Sequence, residues 1–525
     1  MEKNIDETLN NDNLIFGKDK TNNIVSLESN DNFIELFIQN EGGEVNSYKV
    51  PNKFWILCNK DLGGMRRLNG NSYYCWGKQF LTKNDLYKFK NRHYKEDLFL
   101  IYDNKEQSMV LKGLTYYKGM KPKDVSILSF DLETTGLNHN DDAKILLISN
   151  TFRQGNIIKK KLFSYDEYND QGEMLQDWCH WVRERDPSII IAHNGNGFDI
   201  PYVNFIANKY EVSLNLGRDG SALKIKTKES KKRVDGSRDI MYFKSHIYGR
   251  EIIDTMFLAI NHDAHTKKYV SYGLKQIIKQ EGLEKVNRTF YDASKIRENY
   301  KDKVQWALIK EYCKDDSDDA LALFDLTCAP QFYLANNIPK SFQSITESAT
   351  GSQINSMMLR SYIQNAHSVP KADQIEEQFE GALSYGSPGI FSNCIKWDVA
   401  SLYPSIMLQY KIQHKEKDPN CNFQNILQVF TTERLKNKKL AKETKNSYYK
   451  DLEQSQKILI NSMYGFLGAP GLNFNYLIGA SEVTRYGREI LKSAIKWATG
   501  KEYEQFLQNG PISESTDQRL VDSES

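Results

Sequence analysis

The chain has 525 residues, 70 Lys and Arg against 68 Asp and Glu, and 12% aromatic residues rich in tyrosine. That length supports roughly three to four domains, and the composition excludes a disordered chain. The net charge of +2 says nothing about partners, because nucleic-acid contact depends on local patches.

Residues 1–120 alternate short apolar runs, such as Phe33–Ile38 and Lys53–Cys58, with Asn/Gly/Asp turns. The pattern predicts a β-rich N-terminal domain. Trp55, Tyr73, Tyr74 and Trp76 read as core aromatics before they read as base-stacking groups. No catalytic constellation occurs here. The seven cysteines form no Cys-x-x-Cys pair, which fits reduced thiols and argues against structural zinc. No apolar run is long enough to span a bilayer, so a soluble, cytoplasmic protein with no membrane partner is expected.

The signal sharpens at 125–137, Val-Ser-Ile-Leu-Ser-Phe-Asp-Leu-Glu-Thr-Thr-Gly-Leu. Val125 to Leu132 reads as a strand buried on both faces. Alternation then puts Asp131 and Glu133 on one side, a costly arrangement unless a cation neutralises them. A second apolar strand at 188–192 runs into the Gly-rich loop Asn194–Gly197, and a helix starts near Asp199. A helix over 302–326 places Tyr312 and Asp316 one turn apart on one face. Four carboxylates, Asp131, Glu133, Asp199 and Asp316, can hold two divalent ions roughly 3.5–4 Å apart, an arrangement suited to phosphodiester hydrolysis.

Between these blocks, Lys224, Lys226, Lys228, Lys231, Lys232 and Arg233 flank a Val-Asp-Gly turn at 234–236. The segment reads equally as a basic hairpin on a phosphate backbone or as a solvated charge run. Residues 331–380 have helical patterning. At 396–407, Lys-Trp-Asp-Val-Ala-Ser-Leu-Tyr-Pro-Ser-Ile-Met, a strand is expected to deliver Asp398 to a tight turn at Ser401 and Tyr403. Such a turn suits a divalent cation carrying a triphosphate. A Lys/Arg-rich helical segment, 425–457, carries Arg434 and Lys438 at i, i+4. It leads into Lys457-Ile-Leu-Ile-Asn-Ser-Met-Tyr-Gly465, where Lys457, Asn461 and Tyr464 share a helical face.

The first three blocks resemble, in order, the Exo I, Exo II and Exo III motifs of DEDDy proofreading exonucleases. The later strings resemble the first two polymerase motifs of family B DNA polymerases, and the Arg434-x-x-x-Lys438 pattern resembles those of T-even-like tailed bacteriophages. The resemblance implies a mixed α/β multidomain fold. It comprises an N-terminal domain at 1–120 rejoined by 341–380, a ribonuclease-H-like 3′–5′ exonuclease at 121–340, an incomplete palm at 381–425, short helical fingers at 426–470, and a palm continuation and polar tail at 471–525. It implies catalytic Asp131, Glu133, Asp199, Tyr312, Asp316 and Asp398. Metal ligands are the same five acids and Val399. Nucleotide-binding residues are Ser401, Leu402, Tyr403, Arg434, Lys438, Lys457, Asn461 and Tyr464. Two Mg²⁺ per active site are implied, with Mn²⁺ as a substitute, and the partners are primer-template and single-stranded DNA, dNTPs and a sliding clamp. The implied location is the cytoplasm of an infected bacterial host.

Two departures matter. The string Phe379-Glu-Gly-Ala382 replaces the family's Tyr-x-Gly-Gly linker. No Tyr-Gly-Asp-Thr-Asp-Ser string follows Gly465, and Asp517 lacks apolar flanks. One carboxylate cannot hold two cations about 4 Å apart. The expectation is therefore the N-terminal part of a split polymerase, inactive in synthesis alone, whose second chain supplies the Asp-x-Asp motif and thumb. The alternatives are a stand-alone exonuclease and a non-catalytic nucleic-acid-binding regulator.

Overall fold

A computed structural model of the chain describes residues 12–234, 238–373, 380–384, 389–390, 392–399 and 401–509. The turn residues 235 and 236, the linker residue Phe379 and the tail containing Asp517 lie outside them. The N-terminal region builds two antiparallel sheets. Ile24–Ser29, Phe33–Gln39 and Val45–Pro51 form a meander, and Phe54–Cys58 is central in a four-stranded sheet with Arg66–Arg67, Trp76–Phe80 and Leu98–Phe99. Trp55 and Tyr74 are core residues, whereas Tyr73 is 40% exposed.

This region is closed by sequence from much further along. The helix Thr350–Gln364 ends where His367 bridges Asn69 and Val369 bridges Tyr74. Arg360 on that helix is fully buried, has no carboxylate partner among the described residues, and donates to the carbonyls of Leu14, Ile15 and Asn337 at 2.7–2.8 Å. Burial pulls its guanidinium down to about 9. Arg360→Ala strands three carbonyls and opens a cavity, so a loss of about 3–5 kcal/mol is expected. Urea unfolding followed at the N-terminal region checks this.

The middle of the chain folds around a five-stranded sheet in the order Ile157–Ser164, Ile145–Gln154, Ile127–Thr134, Ile189–Ala192, Glu251–Asp254. The first three are antiparallel neighbours, and the last two run parallel to Ile127–Thr134. The unbroken burial of Ile127–Phe130 and of Ile189–Ala192 is what parallel neighbours covered on both faces demand. Helices Gln171–Arg185 and Asp199–Lys209 contribute to the core on one face of the sheet. The long helix Lys303–Thr327 crosses the other face, with Trp306, Ile309 and Cys313 against Leu146 and Leu147. A ribbon of Lys224–Arg233 and Asp239–His246 stands off the sheet, anchored by Lys232, whose Nζ donates to Asn261 and to the Thr346 carbonyl.

From residue 401 the described chain is helical. Leu402–Gln409 is followed by two long helices, Asn422–Thr444 and Ser447–Gly468, joined by a tight turn at Lys445 and Asn446, and then by Leu477–Thr499. Their apolar faces extend the N-terminal core, with Phe430, Ile458 and Phe466 in the same cluster as Phe332 and Met358. The strand expected to carry Asp398 is not formed: residues 392–399 are irregular, and Asp398 is exposed. The physical reason is that a strand is completed by its neighbours. Among the described residues after 373 no strand offers Asp398 a ladder.

Candidate active sites

The Asp-x-Glu pair lies on the central strand Ile127–Thr134, at the edge the sheet shares with the end of Ile189–Ala192. From that neighbouring strand the chain turns sharply. Asn194 takes a left-handed φ of +62°, and a Cβ on Gly195 would stand 2.6 Å from the Ala192 Cβ, so only glycine fits. The turn delivers Asp199 as the first residue of its helix. The helix Lys303–Thr327 brings Tyr312, Cys313 and Asp316 over the same strand end. The carboxylates of Asp131 and Glu133 and the Cys313 sulfur lie within 4.8 Å of one another.

The electrostatics show how close the acids are. Burial, then the charges of Asp316, Asp199 and Glu133, push Asp131 well above the carboxylate range. Burial, then Asp316, lifts Glu133 to about 8. Burial lifts Asp199 to about 7, against the pull of backbone N–H groups. Asp316 is also raised by burial, with Lys275 and Arg288 opposing. The carboxylates of Asp131 and Glu133, raised together with Asp199 and Asp316, make a candidate site for a divalent cation.

Behind the acids the loop Asn194–Gly197 is pinned. Asp254 caps the helix Thr255–Thr266 and also accepts the backbone N–H of Asn194 (2.9 Å) and Asn196 (3.2 Å). His193 is half-buried, with Nε2 2.8 Å from the Tyr272 carbonyl and Nδ1 3.0 Å from the Thr255 hydroxyl. Burial lowers His193 to about 4, which favours the neutral imidazole.

The second constellation is looser. Ser401 has φ +54° and starts the helix Leu402–Gln409, with Leu402 half-buried. Arg434 Nη1 donates to the Ser401 hydroxyl at 2.6 Å, while its Nε donates to Glu453 at 2.8 Å. The Tyr403 and Tyr464 rings meet at 4.6 Å, and Gly487 lets the helix Leu477–Thr499 pass beside Tyr403. Lys438 is exposed on the first long helix, and Lys457 and Asn461 are exposed on the second. Asp398 and Val399 are exposed in the irregular segment, and Trp397 beside them rests on Trp497.

Family models match the stretches that carry Asp131, Glu133 and Asp199 and those that carry Arg434, Lys438, Lys457, Asn461 and Tyr464; Tyr312, Asp316, Asp398, Ser401 and Tyr403 lie between them. The family model "DNA polymerase family B, exonuclease domain" matches residues 78–277, and "DNA polymerase family B" matches residues 411–521. The chain belongs to the family B DNA polymerases. It is 25% identical over 428 residues to a DNA polymerase of Pyrococcus glycovorans, covering 73% of this chain and 52% of that protein. A DNA polymerase of Thermococcus gorgonarius is 26% identical over 431 residues, covering 74% and 52%. The chain thus spans about half the length of the curated relatives it matches. In fold it is similar to the family B DNA polymerase of the hyperthermophilic archaeon Pyrobaculum calidifontis, with a TM-score of 0.70 and 18% identity over 90% of this chain and 71% of that one.

In this family B chain, sequence reasoning missed the cations at the acid cluster. Lys275 lies 3.6 Å from Asp316 with its Nζ 4.0 Å above the Tyr312 ring, and Arg288 lies 2.7 Å from Asp316 and also pairs with Asp319. Lys275 follows directly on the Ser271-Tyr-Gly-Leu274 string, which was the available signal. Because Lys275 pulls the Asp316 carboxyl down, Lys275→Ala is expected to raise Asp316 further above the carboxylate range. An NMR titration of the metal-free protein checks this.

Proposed function

We propose that the chain is part of a DNA-directed DNA polymerase with a complete 3′–5′ proofreading exonuclease centre and one half of a polymerase centre. The observation that carries this reading is the meeting of Asp131, Glu133, Asp199, Asp316 and Tyr312 from three separate elements at one strand end. The four acids would hold two Mg²⁺, or Mn²⁺ in their place. The bound ions would neutralise the acids and polarise the scissile phosphate. Tyr312 takes the role of orienting the attacking water, with Lys275 holding its ring and Asp316 in place. The 3′-terminal phosphodiester is cleaved, water supplying the oxygen and the DNA leaving with a free 3′-hydroxyl.

On the synthetic side, Arg434, Lys438 and Lys457 grip the triphosphate, with Ser401 and Leu402 at its turn. Asn461 and Tyr464 border the nascent base pair, and Tyr403 lies under the sugar. The primer 3′-oxygen bonds to the α-phosphorus, the bond to the bridging oxygen breaks, and pyrophosphate leaves. Asp398 and the Val399 carbonyl would supply half of the metal cage. The other half, an Asp-x-Asp strand and thumb, comes from sequence outside the described residues, and we place it on a second polypeptide, as in a split polymerase of T-even-like phages. Motif order and the Arg434-x-x-x-Lys438 pattern support the phage lineage. A sliding clamp and a host cytoplasm belong to the same reading.

Primer extension by this chain alone is expected to be absent and to appear when a polypeptide carrying the missing strand is added. Extension by the chain alone overturns the split arrangement. The wholeness of the acid site beside an exposed Asp398 favours a stand-alone exonuclease as the second reading. The Arg434–Ser401 and Tyr403–Tyr464 contacts weigh against it, since a DNA platform has no use for them.

A further inference from the structure

The two long helices that carry the triphosphate grip continue past it to their turn, and between their outer ends lies an open cleft of about 500 Å³. Lys438 and Lys442 line it from the first helix, Lys445 from the left-handed cap that ends that helix, and Lys450 and Glu453 from the second helix. A spacing of i, i+4 puts Lys438 and Lys442 on one face. With Arg434 one turn further in, cations span about 16 Å along the helix axis. The lone carboxylate of the cleft, Glu453, is already engaged by Arg434.

The pairing pattern separates this cleft from an ordinary solvated helix. On the same helix Lys436 pairs with Glu433 and Lys439 pairs with Glu443. Among the described residues, the side chains of Lys438, Lys442, Lys445, Lys450 and Lys457 have no hydrogen bond, ion pair or ring contact. Like charges at i, i+4 cost a few tenths of a kcal/mol each when nothing answers them. The sequence therefore supplies acids to the lysines outside the cleft and withholds them from the lysines lining it.

We propose that this cleft is a binding site for an inorganic polyphosphate and that its occupant is the pyrophosphate released by nucleotide addition. The inference rests on the nucleotide-binding reading given above. Arg434 and Lys457 hold the phosphates near Ser401. Lys438 is shared between the two positions, and Lys442, Lys445 and Lys450 receive the anion once the bond to the α-phosphorus has broken. A graded row of lysines moves a polyanion outward without requiring it to shed all its contacts at once.

The test is calorimetric titration of the full chain, without added metal, with sodium pyrophosphate, orthophosphate, a dNTP and a single-stranded oligonucleotide. Pyrophosphate is expected to bind more tightly than orthophosphate, and K442A/K445A/K450A is expected to weaken it about tenfold or more. The charge-matched triple K436A/K439A/K492A, drawn from paired lysines, is expected to leave it unchanged. Equal losses in the two triples would reduce the cleft to bulk charge and overturn the inference. So would pyrophosphate affinity that survives K442A/K445A/K450A, or a loss confined to a single-stranded oligonucleotide, which would make the cleft a DNA track. If the wild-type chain binds the dNTP but not pyrophosphate, only this inference falls. If it binds neither, the nucleotide-binding reading falls with it.

Discussion

Asp131→Ala is expected to reduce release of nucleotides from single-stranded DNA in magnesium by about 10³-fold or more, equivalent to roughly 4 kcal/mol of activation free energy. Asp131 is the acid on which the charges of Asp316, Asp199 and Glu133 converge, so its removal opens the cage at its centre. The fold should tolerate the change, because deleting one of four clustered acids relieves repulsion in the metal-free protein. DNA affinity in the absence of metal should therefore stay within a few-fold of wild type. Equal, measurable activity of wild type and variant would refute the exonuclease assignment.

The second large effect is a stability that falls as pH rises. In the folded chain Glu133 titrates at about 8 and Asp199 at about 7, whereas unfolded carboxylates titrate near 4. Between those values the folded state binds more protons than the unfolded state, so the metal-free protein loses stability with increasing pH until the loss is complete above about 8. Each unit is worth about 1.4 kcal/mol, and the sum over the cluster is expected to reach a few kcal/mol. Magnesium should reverse it, raising Tm more above about pH 8 than near pH 5, because cations displace the protons. Asp199→Asn should flatten both trends. A metal-free Tm independent of pH across that window would contradict the clustered acids.

The two sites were unequally legible in the sequence. Asp131, Glu133, Asp199 and Asp316 could be found because each sits at the end of an apolar run or on a helix face, so local periodicity reports their placement. Lys275 and Arg288 were missed because their partners lie 41 and 28 positions away, and a lone cation on a short helix or in a loop has no local signature. The strand expected at Asp398 failed for a related reason. Its apolar lead-in is a necessary condition, but the ladder that makes it a strand is a property of other segments. Paired and unpaired lysines on the helix Asn422–Thr444 are indistinguishable as letters and differ only in what faces them.

The closure of the first region by Arg360, His367 and Val369 has a consequence for synthesis on the ribosome. Asn69 and its partner Asn365 are 296 positions apart, and at 5–20 residues per second about 15–60 s separate their emergence. For that interval the early sheets wait with Leu14, Ile15 and Tyr74 unsealed while the five-stranded sheet is translated in full. The region built on the five-stranded sheet is therefore the first part of the molecule able to complete itself. A transcript cut before residue 360 would yield a finished central fold attached to an open, aggregation-prone amino-terminal flap.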